Sequence, residues 1–201
     1  MKGFGENHKP KKKNNKKIKV SKDQIINQAI KFHLQGNISE AAKYYQECLN
    51  LRINDHRVFS NYGLIFRDLG KLREAELIIR KAIELKPDFA DAHCNLGNIL
   101  RDLGKLQEAE LSTRKAIEIK PDFANAHHNL GIILSDLDKS REAFDSFLKV
   151  IEIKPDFADA HCNLGIILRN LGKLQEAELS TRKAIEIKPD FADAHCNLGN
   201  I

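Results

Sequence analysis

Four residue pairs invite a chemical reading: His93-Cys94, His127-His128, His161-Cys162 and His195-Cys196. Imidazole and thiolate are the usual zinc ligands, held within about 2.0–2.3 Å of the metal. Adjacent residues on a helix point to different sides, and the pairs recur 34 residues apart. No two of them can share an ion, so no metal site is expected. The same separation argues against disulfides, which need Cα atoms roughly 4.4–6.8 Å apart. Cys48, Cys94, Cys162 and Cys196 therefore read as reduced thiols, and a reducing cytosol is the expected compartment. Gly97 to Gly104-Lys105 has the wrong glycine spacing for a phosphate loop and is followed by Leu106. Glu108 and Glu110 read as solvated helix acids. No nucleophile is matched to a base and an orienting partner. The expectation is a protein that is not an enzyme and has no cofactor.

The strongest candidate is a column of asparagines: Asn27, Asn61, Asn95, Asn129, Asn163 and Asn197. Each carboxamide is both donor and acceptor, so it can grip a peptide group without reading a side chain. Arg101 and Arg169 lie in a neighbouring column and are expected to help set specificity.

These residues are carried by a repeat. Residues 90–123 and 158–191 differ at only two of 34 positions, Asn98 against Ile166 and Asp102 against Asn170. Residues 56–89 and 124–157 are clear copies, 22–55 is a divergent one, and 192–201 begins another. Each unit reads as two helices. Asp88, Asp122, Asp156 and Asp190 are expected as N-caps of the first. Gly36, Gly70, Gly104 and Gly172 close it, with Asp138 in the fourth unit. The second runs from near Leu106 to Ile119 and stops before Pro121 and its equivalents. Gly97 and Ala109, with their copies, let the two helices approach closely. The expected fold is all-α, a right-handed superhelical solenoid of antiparallel helix pairs.

Asn95-Leu96-Gly97, Leu100, Gly104, Ala109, Ala116 and Pro121, repeated every 34 residues, resemble the tetratricopeptide repeat. The resemblance covers about residues 22–201. His93 and Thr113 stand where the family usually has aromatic residues. The resemblance implies a scaffold that binds an extended protein or peptide in a concave groove. The segment 86–93 is also similar to repeats of O-linked N-acetylglucosamine transferases, where an asparagine column is associated with holding extended polypeptide. By that likeness the six asparagines would be its equivalent. One alternative is the substrate-recruiting part of a glycosyl- or sulfotransferase, cut short at Ile201. Another is a structural array that self-associates through an uncapped C-terminal end.

Charge is unevenly placed. Residues 1–22 hold nine lysines and one acid, whereas residues 23–201 carry a net charge of −3. Residues 1–21 are expected to be a disordered basic leader ahead of the array. No apolar run approaches the roughly twenty residues of a membrane span, and in the basic leader Phe4 is the only aromatic that could stack on a base. Neither nucleic acid, membrane nor a small-molecule substrate is expected as a partner.

Overall fold

The computed structural model describes residues 21–201. The expected basic leader, apart from Ser21, lies outside the described residues. Eleven α-helices and no strands occur among those residues: α1 (Lys22–Leu34), α2 (Ile38–Asn50), α3 (His56–Asp68), α4 (Leu72–Leu85), α5 (Ala90–Asp102), α6 (Leu106–Ile119), α7 (Ala124–Asp136), α8 (Ser140–Ile153), α9 (Ala158–Asn170), α10 (Leu174–Ile187) and α11 (Ala192–Gly199). Each odd helix packs against the even helix after it, and each pair packs on the next. Odd helices also touch one another in sequence, from α1 to α11. They form the inner wall of a helical repeat array.

Glycine turns the chain at the end of the first helix in four units. Gly36, Gly70, Gly104 and Gly172 have φ of +72° to +76°, the left-handed region that costs glycine nothing. In the fourth unit Asp138 takes the same turn at φ 59°, which an L-residue with a Cβ adopts at a cost. Asp138→Gly is expected to raise stability by about 1 kcal/mol. The urea midpoint followed by circular dichroism measures it.

The expected aspartate N-caps are not observed. The caps are Phe89, Phe123, Phe157 and Phe191, and none receives a side-chain capping bond. The Lys-Pro-Asp-Phe turn is closed by the backbone, with Phe89 N–H donating to the Lys86 carbonyl at 3.1 Å. A histidine then fastens it: His93 Nε2 lies 2.9 Å from the Pro87 carbonyl, and His127, His161 and His195 repeat the contact at 2.8–2.9 Å. His93 and its copies stand where the family usually has an aromatic residue. Only His161 is buried; the others bind the turn while partly exposed. A serine hydroxyl cap appears once, at Ser21, paired reciprocally with Gln24.

The small-residue columns do make the close crossings. Ala41, Ala75, Ala109, Ala143 and Ala177 have no exposed surface. A Cβ on Gly63, Gly97, Gly131 or Gly165 would lie 2.1–2.7 Å from a side-chain atom of the paired helix. Leu96, Leu100 and Ile99, with their copies, fill the core between units.

Candidate functional site

The asparagine column sits on the inner helices, one residue per unit. Asn95 Nδ2 donates to Ser60 Oγ at 3.2 Å, and Asn129 Nδ2 to Cys94 Sγ at 3.2 Å. Asn163 Nδ2 lies 3.1 Å from His128 Nε2, and Asn197 Nδ2 donates to Cys162 Sγ at 3.2 Å. Every acceptor is 35 residues back, on the preceding inner helix. One N–H of each carboxamide thus holds two units in register. The second N–H and the Oδ1 of these four have no protein partner among the described residues.

The acceptor of this bond has a signal in the sequence. Ser60, Cys94, His128 and Cys162 all carry an acceptor atom, and each stands one residue before an asparagine. The exception is Ile26, before Asn27. Asn61 therefore has no acceptor one residue before Asn27 in α1, and the Tyr45 hydroxyl lies 3.2 Å from His33 Nδ1. Asn27, at the start of the array, is exposed.

The acceptors are kept neutral by their surroundings. Burial pushes the Cys94 thiol up to about 11, partly opposed by the Asn129 donor. Burial pushes the Cys162 thiol up too. Burial lowers His128 below the usual imidazole value, Asp159 acts in the opposite sense, and Arg101 adds to the lowering. An imidazole that accepts at Nε2 carries its proton on Nδ1. These groups serve as hydrogen-bond acceptors and not as nucleophiles. All four cysteines are free, and among the described residues no three His, Cys, Asp or Glu side chains are placed to share a metal ion.

Arg101 is committed differently from expectation. Its Nε donates to Asp136 at 2.6 Å, as Arg67 does to Asp102 at 2.6 Å. The next rung has Ser135 and Asn170, both uncharged. That explains one of the two differences between the near-identical units: Asp102 faces an arginine, whereas Asn170 has no charge to meet. Arg169 makes no ion pair among the described residues.

Glu110 is not the solvated acid that the sequence suggested. It is largely covered and receives Lys139 at 2.8 Å and Arg114 at 2.9 Å, so its carboxyl lies below the usual range. Glu76 repeats this with Arg80 and Lys105. In the fourth unit Phe144 and Leu148 replace the pair, and Lys173 stands over the Phe144 ring at 5.9 Å. These contacts join units on the outer helices, away from the asparagines.

A cavity of about 260 Å³ lies between α9 and α11, lined by Asp159, Asn163 and Ile166 on one side and Phe191, Asp193 and Asn197 on the other.

Sequence models of the tetratricopeptide repeat match residues 90–123 and 158–191, and two further models of the repeat match 63–100 and 113–145. The chain belongs to the tetratricopeptide repeat family. No curated protein matches it in sequence. Among solved structures, this tetratricopeptide array is similar to that of MamA, with 24% identity over 82% of this chain and 96% of the other, at a TM-score of 0.69. It is also similar to YrrB, described as a TPR protein with an unusual peptide-binding site, at 24% identity over 89% and 92% of the two chains and a TM-score of 0.67. A thermophilic TPR protein of Thermus thermophilus, TTC0263, gives 17% identity over 90% and 98%, with a TM-score of 0.73. At these identities the likeness is one of fold. No helix among the described residues is long and apolar enough to cross a membrane.

Proposed function

We propose that this chain is a non-catalytic interaction scaffold whose groove holds an extended polypeptide by its main chain. The observation that carries the reading is the asparagine column with one N–H of each amide tied back to the preceding unit. A carboxamide fixed at one corner presents its remaining donor and acceptor without first losing rotamer freedom, which lowers the cost of binding. Neighbouring inner helices are roughly 10 Å apart, and an extended chain rises about 3.3 Å per residue. Each asparagine would then meet every third peptide group. Arg169, free of an ion pair among the described residues, would read a side chain, whereas Arg101 is spent on Asp136.

The test uses a fluorescein-labelled peptide selected from a random library on the wild-type protein. The double variant Asn129→Ala/Asn163→Ala is expected to weaken its binding roughly 30-fold by anisotropy, at about 1 kcal/mol per asparagine. Circular dichroism checks that the variant is folded. Unchanged affinity in the folded variant refutes main-chain capture by these amides.

A further inference from the structure

Resting on the reading of the groove as a polypeptide site, we infer that His128 makes the grip at Asn163 proton-sensitive: when the ring takes a second proton, the Asn163 carboxamide turns over and shows the groove a donor where it had shown an acceptor. What carries this is the acceptor in each rung of the column. Asn95 binds the Ser60 hydroxyl, and Asn129 and Asn197 bind the thiols of Cys94 and Cys162. Of these four, only Asn163 meets an imidazole, with Nδ2 3.1 Å from His128 Nε2. A hydroxyl or thiol accepts without changing charge, and burial holds both thiols above their ordinary range, so acidification leaves those three rungs as they are. A neutral imidazole has one acceptor nitrogen, whereas an imidazolium has two donors and no acceptor. Once His128 is protonated, its Nε2–H and the Asn163 N–H would point at one another.

The ring is held in place and the amide is free to respond. Phe147 and Phe157 meet the half-buried imidazole edge-on, at 5.8 and 5.0 Å between centroids. The Asn163 carboxamide is bound only through its one N–H among the described residues. A half-turn about the Cβ–Cγ bond brings Oδ1 onto the imidazolium and restores the hydrogen bond, now charge-assisted. The same half-turn carries the amide nitrogen to the place that Oδ1 held, where a peptide N–H would then meet another N–H. Burial disfavours the charged ring; Asp159 on α9 and the Asn129 side chain favour it, and Arg101 on α5 opposes it. Among the described residues α6 and α8 bring no charge to bear on it; α8 meets it with Phe147, and Lys154 lies over the Phe157 ring at 5.2 Å. The titration therefore falls below the usual imidazole value, so the grip is complete at neutral pH and is lost as the pH drops through it. By linkage, a peptide N–H bound at Oδ1 favours the neutral ring and pushes its titration lower still.

Nuclear magnetic resonance of the free full-length protein tests the turn itself. The Asn163 side-chain amide is expected to shift with the midpoint of the His128 ring, and that midpoint to lie below the usual imidazole value. In His128→Cys, which gives this rung the acceptor of the third and fifth units, Cys94 and Cys162, the Asn163 amide should not follow pH over that range. Anisotropy with a library-selected peptide that lacks titratable side chains then reads the grip. Across the His128 midpoint its affinity should fall about fivefold in the wild type, the worth of one hydrogen bond, and by less than about twofold in His128→Cys. A ring that stays neutral until the array unfolds overturns the proposal, as does an Asn163 amide that ignores the ring's titration. If ring and amide move together while affinity holds, proton control of the grip is overturned through the failure of main-chain capture at this rung. Because the resonances need no peptide, that outcome is told apart from a failure of the turn.

Discussion

Phe147→Ala is expected to lower the stability of the array by about 3–5 kcal/mol, the cost of removing a buried aromatic side chain from a packed core. Phe147 is 1% exposed on α8 and joins Leu130, Leu134, Leu164 and Leu168 in one cluster that spans two units. Its ring lies where a Cβ on Gly131 would be, 2.7 Å away, and it meets the His128 ring at 5.8 Å. The equivalent positions hold Tyr45, Ile79, Thr113 and Thr181, so among the units with a glycine at the crossing this one has the largest side chain there. In a solenoid each unit leans mainly on its neighbours. Loss should therefore appear first as faster amide exchange in α7, α8 and α9, together with a lower urea midpoint. Leu148→Ala, one residue on and 42% exposed, is the control and should shift stability by less than about 0.5 kcal/mol. A Phe147→Ala midpoint as small as the control's would show that the ring is not bearing the core. A second consequence reaches the groove. His128 accepts from Asn163 and is braced on its other side by Phe147 and by Phe157 at 5.0 Å. Freeing the ring should loosen the Asn163 carboxamide of the proposed grip.

How much of this was legible depends on whether a residue's partner lies inside its own unit or outside it. Helix ends and close crossings depend on residues a few positions apart, and a 34-residue period displays those five times over. Gly104 at its positive φ and Gly97 against α6 follow from that local grammar. Contacts between successive inner helices obey an offset of one period plus one residue, and a column-by-column reading hides it. Asn129 with Cys94 and Arg101 with Asp136 are therefore groove candidates in the sequence whose partners on the adjacent helix appear only in the structure. The aspartate caps failed for another reason. Pro87 and Asp88 fit a helix start, yet the Lys86 carbonyl takes the Phe89 N–H and the His93 ring takes the Pro87 carbonyl. With the turn closed by those two bonds, the helix begins one residue later and Asp88 faces solvent. An imidazole six residues from the carbonyl that it binds carries no signature in propensity.

Gly97→Ala is expected to destabilise the array by about 2–3 kcal/mol, near the upper end for overpacking a core, although alanine is the better helix former by roughly 1 kcal/mol. The added Cβ would lie 2.1 Å from Thr113 Oγ1 and 3.3 Å from the Ala109 carbonyl oxygen. Thr113 cannot turn aside cheaply. It has no exposed surface, its hydroxyl donates to the Ala109 carbonyl at 2.9 Å, and a β-branched side chain in a helix has few rotamers. The obstacle is thus one oxygen, and removing it should change the sign. In a Thr113→Ala background Gly97→Ala fills the space that the hydroxyl vacated, and its helix preference should dominate. The double-mutant cycle is then expected to show a coupling of about 2 kcal/mol or more, within the range for residues in contact. The measurement is urea unfolding of the four proteins. A coupling below about 0.5 kcal/mol would mean that α5 and α6 part on substitution and that the close approach is not rigid. The same cycle at Gly165 and Thr181, where the Cβ would lie 2.2 Å from the hydroxyl oxygen, should reproduce it. This crossing sets the pitch at which α5 and α7 present Asn95 and Asn129, so a rigid crossing is what keeps successive amides at a spacing that an extended chain can match.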